Sequence, residues 1–284
     1  METRFIETEG ATLHTVLAGP EKGELVVLLH GFPEFWYGWR RQIQALAAAG
    51  YRVAVPDQRG YNLSSKPQDV ESYDTALLAD DVAELIQALG YEKAAAVIGH
   101  DWGGAVGWYL AITRPEVMRM FIPINIPHPG VMPVSSLKNP TQLLKSSYMA
   151  FFQIPAIPEK AMQAGEFTYM MDGLKRTSQP GAFHDEELRA YERAWSQPGA
   201  LTGMLNWYRA MRTGTMAHIA GEAVDIPVRM LWGIGDQFLS TTLAKDSLKL
   251  CRDEEAVFIG EATHWVLHEQ PALVNDWILH WLNN

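Results

Sequence analysis

The chain has little that would tie it to a membrane, a nucleic acid or an oxidising compartment. Its one cysteine, Cys251, rules out an internal disulfide in these 284 residues and fits a reducing, cytoplasmic setting. No apolar run approaches the roughly 18 residues of a membrane-spanning helix. The opening, Met1 to Glu7, lacks a basic stretch followed by an apolar one, so no secretory signal is expected there. Positive charge is scarce: the formal net charge is −10, and no basic stripe alternates with aromatics, which excludes a nucleic-acid partner. There are no internal repeats and no low-complexity tracts. Hydrophobic residues make up 48% and charged residues 20%, enough apolar material for a sizeable core. The length suits one large α/β domain or a core with an inserted cap.

The informative stretch is Gly99-His100-Asp101-Trp102-Gly103-Gly104. It follows the apolar run Ala94 to Ile98 and opens a helical pattern from Ala105 to Thr113. Strand, sharp turn and helix in that order form the frame of a nucleophile elbow, in which small residues let a tight turn push one side chain above a sheet. The residue pushed out is Asp101. A serine attacking a saturated carbon would leave an ether that water cannot readily cleave. A carboxylate leaves an ester that water can cleave, and it is already ionised near neutral pH. Asp101 therefore points to attack on an sp3 carbon bearing an oxygen or halide leaving group.

The rest of the chain supplies a sheet for this elbow. Residues 4–8 and 11–18 read as an edge hairpin. Leu25 to Leu29 is a continuous apolar run, suited to a strand buried on both faces. A helix is expected up to Ala49, a strand over Val53 to Pro56, and a helix from an Asp74 cap to Leu89. Phe121 to Asn125 reads as a strand, with Pro123 an awkward interior residue. Strand texture returns at Val228 to Trp232 and Ala256 to Ile259, before a last helix over 271–282. Between 131 and 224 no buried-strand run occurs; helical patterns lie near 141–152, 159–171, 185–195 and 200–212. Eight of the twelve methionines fall in this segment, as suits a cap that adapts to apolar ligands. The expectation is an α/β fold: a mostly parallel central sheet flanked by helices, with core parts 1–130 and 225–284 and an inserted helical lid at 131–224.

An ester on Asp101 needs a base to hydrolyse it. His264, in Thr263-His264-Trp265, follows a strand and precedes the last helix. Asp236, in Gly233-Ile234-Gly235-Asp236, stands beyond the 228–232 strand, at the end where sites in such sheets gather. Nucleophile, acid and histidine follow in the α/β-hydrolase order, with Asp236 fixing the His264 tautomer. His30-Gly31-Phe32-Pro33 lies after the first buried strand. Its Phe32 N–H and the N–H of Trp102 are the expected oxyanion-hole donors, with Pro33 stiffening the turn.

Over nearly its whole length the chain resembles the α/β-hydrolase-fold epoxide hydrolases. The matching pieces are His30 to Glu34, Asp57-Gln58-Arg59-Gly60-Tyr61 through Pro67, Gly99 to Gly104, Asn125 to Pro129, and Thr263-His264-Trp265. The resemblance implies two lid tyrosines that hold and protonate the epoxide oxygen. Tyr148, in Tyr148-Met149-Ala150-Phe151-Phe152-Gln153, and Tyr208, in Asn206-Trp207-Tyr208-Arg209, fit those places. Phe151, Met149 and Trp207 are expected to join Phe32 and Trp102 in the apolar substrate wall, whereas Tyr169 and Tyr191 read as structural. The resemblance further implies a hydrophobic small-molecule epoxide and water as reactants, no cofactor or metal, and a monomer or homodimer. Haloalkane dehalogenases usually carry Asn where Phe32 stands, and fluoroacetate dehalogenases carry arginines where Trp102 and Ala105 stand. A dehalogenase using the same Asp101 is the alternative activity, and a non-catalytic small-molecule-binding member of the fold is the alternative class.

Overall fold

The computed structural model describes residues 1–132, 145 and 148–284. Eight strands form one sheet in the order β1-β2-β4-β3-β5-β6-β7-β8. They are β1 (Glu2–Glu7), β2 (Thr12–Ala18), β3 (Leu25–Leu29), β4 (Arg52–Pro56), β5 (Ala96–His100), β6 (Phe121–Ile124), β7 (Val228–Gly233) and β8 (Glu254–Ile259). β2 runs antiparallel to β1 and β4; every pairing from β4 through β8 is parallel.

Side chains alternate across the pleat, and this period of two builds two cores. Leu25, Val27 and Leu29 face one, with α2 (Thr75–Ala88) and α3 (Trp102–Thr113). Val26 and Leu28 face the other, with α1 (Arg40–Ala48) and the last helix (Pro271–Leu282). Helices cover both faces of these inner strands, so β3, β4, β5 and β6 are buried throughout, and β3 and β6 are apolar at every position. Asp74 caps α2 by accepting from the Ala76 N–H at 2.9 Å. Pro123 does sit inside a buried strand. Its missing N–H falls where the ladder to β7 is skipped, since the β6–β7 pairs are Phe121 with Val228 and Ile124 with Leu231.

Between β6 and β7 the described residues form helices and no strand. They are α4 (Tyr148–Phe152), α5 (Ile157–Gln163), α6 (Thr168–Thr177), α7 (Asp185–Trp195), α8 (Ala200–Ala210) and α9 (Thr215–His218). The part of the expected 141–152 helix before Tyr148 lies outside the described residues, Lys145 excepted. The single helix expected over 159–171 is two. Gly165, Glu166 and Phe167 all take positive φ, and three successive left-handed residues end α5 and re-aim α6. α10 (Thr241–Leu248) fills the room for one helix that the sequence leaves between Asp236 and His264, whereas α9 and α11 (Val266–Glu269), the latter lying just before α12, the last helix, escaped the sequence reading. Among the described residues no helix is long and apolar enough to cross a membrane.

Candidate active site

Every loop that carries a proposed site residue leaves the same edge of the sheet. The parallel strands β3, β5, β6, β7 and β8 all end there, and Phe32, Asp101, Asn125, Asp236 and His264 follow them in that order. The carboxyl edge of a parallel sheet is where loops from neighbouring strands converge.

Asp101 connects β5 to α3 with φ 49° and ψ −124°, a conformation an L-residue holds only under constraint. The constraint is close packing. A Cβ on Gly31 would collide with the Asp101 side chain, and one on Gly103 with the backbone of Leu29 and His30. So the β3 loop and the elbow touch, and the Phe32 N–H donates to Asp101 Oδ1 at 2.9 Å. The Trp102 N–H, the other expected donor, makes no bond to that carboxylate among the described residues. Asp101 Oδ2 faces His264 Nε2 at 3.6 Å.

His264 is oriented from its far side. Its Nδ1 meets Asp236 Oδ2 at 2.7 Å. Asp236 is itself fixed: Asn125 Nδ2 donates to Oδ2 at 2.7 Å, and the N–H groups of Phe238 and Leu239 donate to Oδ1 at 2.7 and 2.9 Å. Burial opposes the charges on all three groups. For Asp236, the His264 charge and these hydrogen bonds overcome burial and hold the carboxyl below its ordinary value. Asp101 is likewise lowered, chiefly by His264 against its burial. Burial lowers the His264 imidazolium, but the two carboxylates outweigh that and push it up to about 10.

Tyr148 on α4 and Tyr208 on α8 line the same cavity as Asp101, their rings 6.0 Å apart. Burial, with the Asp101 charge adding to it, raises both phenols above their ordinary value. Tyr208 is wedged edge-on against Phe32, Trp102 and Phe152 at 5.2, 5.1 and 4.9 Å between ring centroids.

Two cavities of about 260 and 240 Å³ meet here. Phe151 lines the first and Met149 the second. Trp207 lines neither. Its indole N–H donates to the Arg59 carbonyl at 2.9 Å, and it packs against Tyr61. Neighbours on a helix point about 100° apart, so with Tyr208 facing the cavity Trp207 must face elsewhere. Tyr169, read from sequence as structural, lies on the wall of the first cavity and is 60% exposed. Tyr191 is buried and donates to Glu34 Oε1 at 2.6 Å.

Sequence reasoning missed the group behind His264. Glu34 Oε1 also meets His268 Nε2 at 2.7 Å, and Glu34 Oε2 lies 3.5 Å from His100 Nδ1. The other nitrogen of His100 bonds the His264 carbonyl at 2.8 Å. Glu34 and His100 both stand in motifs that were noticed, but nothing local ties them to each other or to His268. Asn125, which holds both Asp236 and the Gly233 N–H, was part of a noticed motif without an assigned task. Among the described residues no group of three or more His, Cys, Asp or Glu is placed to hold a metal ion.

A family model for the alpha/beta hydrolase fold matches residues 24–271. The chain is 50% identical to the AB hydrolase superfamily protein YfhM of Bacillus subtilis, over all of this chain and 99% of that protein. It is 37% identical to mouse Epoxide hydrolase 4, over 96% of this chain and 77% of that one. Among solved structures, an epoxide hydrolase from Bacillus megaterium superposes with a TM-score of 0.89 at 30% identity, covering 99% of this chain and all of that one.

Proposed function

The chain belongs to the α/β-hydrolase-fold epoxide hydrolases, and we propose that it opens an epoxide to a vicinal diol through an ester on Asp101. The observation that carries this reading is the division of labour within one carboxylate. Oδ1 is tied to the Phe32 N–H, while Oδ2 faces His264 Nε2 at 3.6 Å, and Asp101, His264, Tyr148 and Tyr208 line one cavity.

Asp101 Oδ2 attacks one oxirane carbon, forming a C–O bond as the ring C–O bond breaks. The leaving oxygen takes a proton from the Tyr148 and Tyr208 pair. The phenols are held up partly by the Asp101 charge, which vanishes as the ester forms. They thus become stronger acids during the step that needs their proton. The same loss of charge acts on His264, whose imidazolium was stabilised by Asp101. A water-borne proton exchange between imidazolium and phenolate restores the phenol and leaves a neutral imidazole.

His264, held by Asp236, then takes a proton from a water that adds to the ester carbonyl. The carbonyl oxygen is the former Oδ1, already on the Phe32 N–H, with the Trp102 N–H proposed as its second donor in the tetrahedral intermediate. Collapse expels the diol oxygen, which takes the proton from His264. The Asp101 carboxyl returns its own proton to the imidazole, and the resting ion pair re-forms. In this reading residues 131–224 are the lid that brings the two phenols over the nucleophile and excludes bulk water.

Water labelled with heavy oxygen tests the ester route. With enzyme in excess over an aryl epoxide, a single turnover should give unlabelled diol and place the label in the peptide carrying Asp101. Label in the diol at the first turnover would mean direct attack by water and would remove Asp101 as nucleophile.

A further inference from the structure

His264 belongs to no helix or strand. Its loop lies between the end of β8 at Ile259 and the start of α11 at Val266, and residues on both sides of it are tied to the end of one lid helix. Glu269, the last residue of α11, turns back onto the loop. Its Oε2 accepts the Thr263 N–H at 2.6 Å. Its Oε1 accepts the Thr263 hydroxyl at 2.6 Å and the Gln179 N–H at 2.7 Å. Gln179 stands two residues past the end of α6 at Thr177. On the other side of His264, the Trp265 indole N–H donates to Thr177 Oγ1 at 2.8 Å. The Thr177 hydroxyl gives its own hydrogen to the Gly173 carbonyl, one turn back in α6, at 2.8 Å.

These bonds do something the triad does not. The Asp236 bond to Nδ1 sets the direction of the imidazole, and His100, the last residue of β5, holds the His264 carbonyl from the sheet. Thr263 and Trp265 set where the ring stands, and both are held from the lid. Thr263 is buried, so without the carboxylate its N–H is left unpaired and the loop must shift to satisfy it. A carboxylate binds such donors more strongly than a neutral acceptor does. Glu269 itself lines neither cavity and takes no part in the proposed chemistry.

We infer that Glu269 is a positioning residue for the base, and that together with Thr177 it latches the His264 loop to the lid. The inference rests on the ester route proposed above. Ring opening draws on the Asp101 carboxylate and on phenols carried by α4 and α8, which the latch does not touch. Only ester hydrolysis needs His264 as a base. A loosened latch therefore slows the second step and spares the first, whereas a merely structural role would slow both together or leave both alone.

Rapid quenching of a single turnover with an aryl epoxide, followed by mass analysis of the peptide carrying Asp101, gives the two rates separately. Glu269→Ala should form the ester within about threefold of the native rate and lose it about 10²-fold more slowly, the cost of a base misplaced by roughly 1 Å. Glu269→Gln keeps one acceptor oxygen and offers an NH₂ that can donate to the Thr263 hydroxyl, so it should recover part of that loss. Thr177→Val has nearly the same shape without the hydroxyl. It should slow ester loss about tenfold, and it carries the test if Glu269→Ala does not fold. Ester loss within about twofold of native in folded Glu269→Ala or Thr177→Val, or ester formation that falls as far as ester loss, would overturn the inference. Absence of any ester in the native enzyme would instead overturn the reading on which it rests.

Discussion

His264 Nε2 lies 3.6 Å from Asp101 Oδ2, an ion pair that the proposed reaction itself dismantles. The imidazole is held at both ends, since Nδ1 is 2.7 Å from Asp236. Its value near 10 describes the resting enzyme, in which His264 is charged and unable to act as a base. Once Asp101 becomes an uncharged ester, one of the two anions is gone. In the proposed reaction the base is thus released only after the step that creates its substrate.

Asp101→Asn imitates that uncharged state. Its His264 should titrate well below the native value of about 10, followed through the imidazole proton resonances. The shift also has a consequence for stability. A histidine raised on folding stabilises the native state fully below its ordinary pKa near 6.5, and that gain is lost as pH rises through the folded value near 10. The native protein should therefore lose melting temperature over that interval, and Asp101→Asn should lose less of it. Equal slopes in the two proteins would mean that Asp101 does not hold the proton on His264.

The two lid phenols should share one task. Tyr148→Phe or Tyr208→Phe alone should slow ester formation, because the remaining hydroxyl still reaches the oxygen. The double change should cost about 10²–10⁴-fold in the rate of ring opening, the usual contribution of a positioned acid. Rapid-mixing fluorescence of Trp102 and its neighbours follows the step. A double variant that forms ester at the native rate would remove the tyrosines from the mechanism.

Glu34 is buried, yet its carboxyl lies well below the ordinary value: burial raises it, and the charges and hydrogen bonds of His268 and His100 overcome that. Glu34→Gln removes the charge from a group that joins α7, through Tyr191, to the core. Breaking one side of a buried charged network costs about 3 kcal/mol, to be read from urea unfolding. A depressed carboxyl stabilises above its ordinary pKa of 4.5, and the gain is lost as pH falls through the folded value. The native protein should thus weaken in acid more steeply than Glu34→Gln. Unchanged stability in the variant would show the network to be energetically idle.

Trp207 faces away from both cavities, so Trp207→Phe should behave as a packing change. Losing the bond to the Arg59 carbonyl should cost about 1 kcal/mol of stability. The rate of ester formation in folded enzyme should stay within roughly twofold of native, as for a residue outside the reacting geometry. A larger fall in that rate would return Trp207 to the substrate wall.

What could be read in the sequence was what is local. The elbow is legible because strand, turn and helix lie within one short stretch, and Asp101 is displayed by its immediate neighbours. Asp236 and His264 are legible because chain order and strand ends place them. Tyr148 and Tyr208 came through resemblance alone, for nothing near either residue distinguishes a reacting phenol from a packing one. Which of Trp207 and Tyr208 faces the cavity depends on the rotation of α8, and an amphipathic pattern does not fix that when both residues are aromatic and both are buried. The break before α6 arises from three left-handed residues, of which only Gly165 announces itself. Glu34, His100 and His268 meet only after β3, β5 and α11 have been packed together.

The central claim is a covalent bond between Asp101 and substrate carbon. The most direct measurement is the intact mass of purified, folded His264→Ala after exposure to an aryl epoxide. Without the base, the ester should form and persist. The account predicts a mass gain equal to the whole epoxide, absent when Asp101→Asn is added. No gain on the folded protein, or a gain that survives Asp101→Asn, would contradict it.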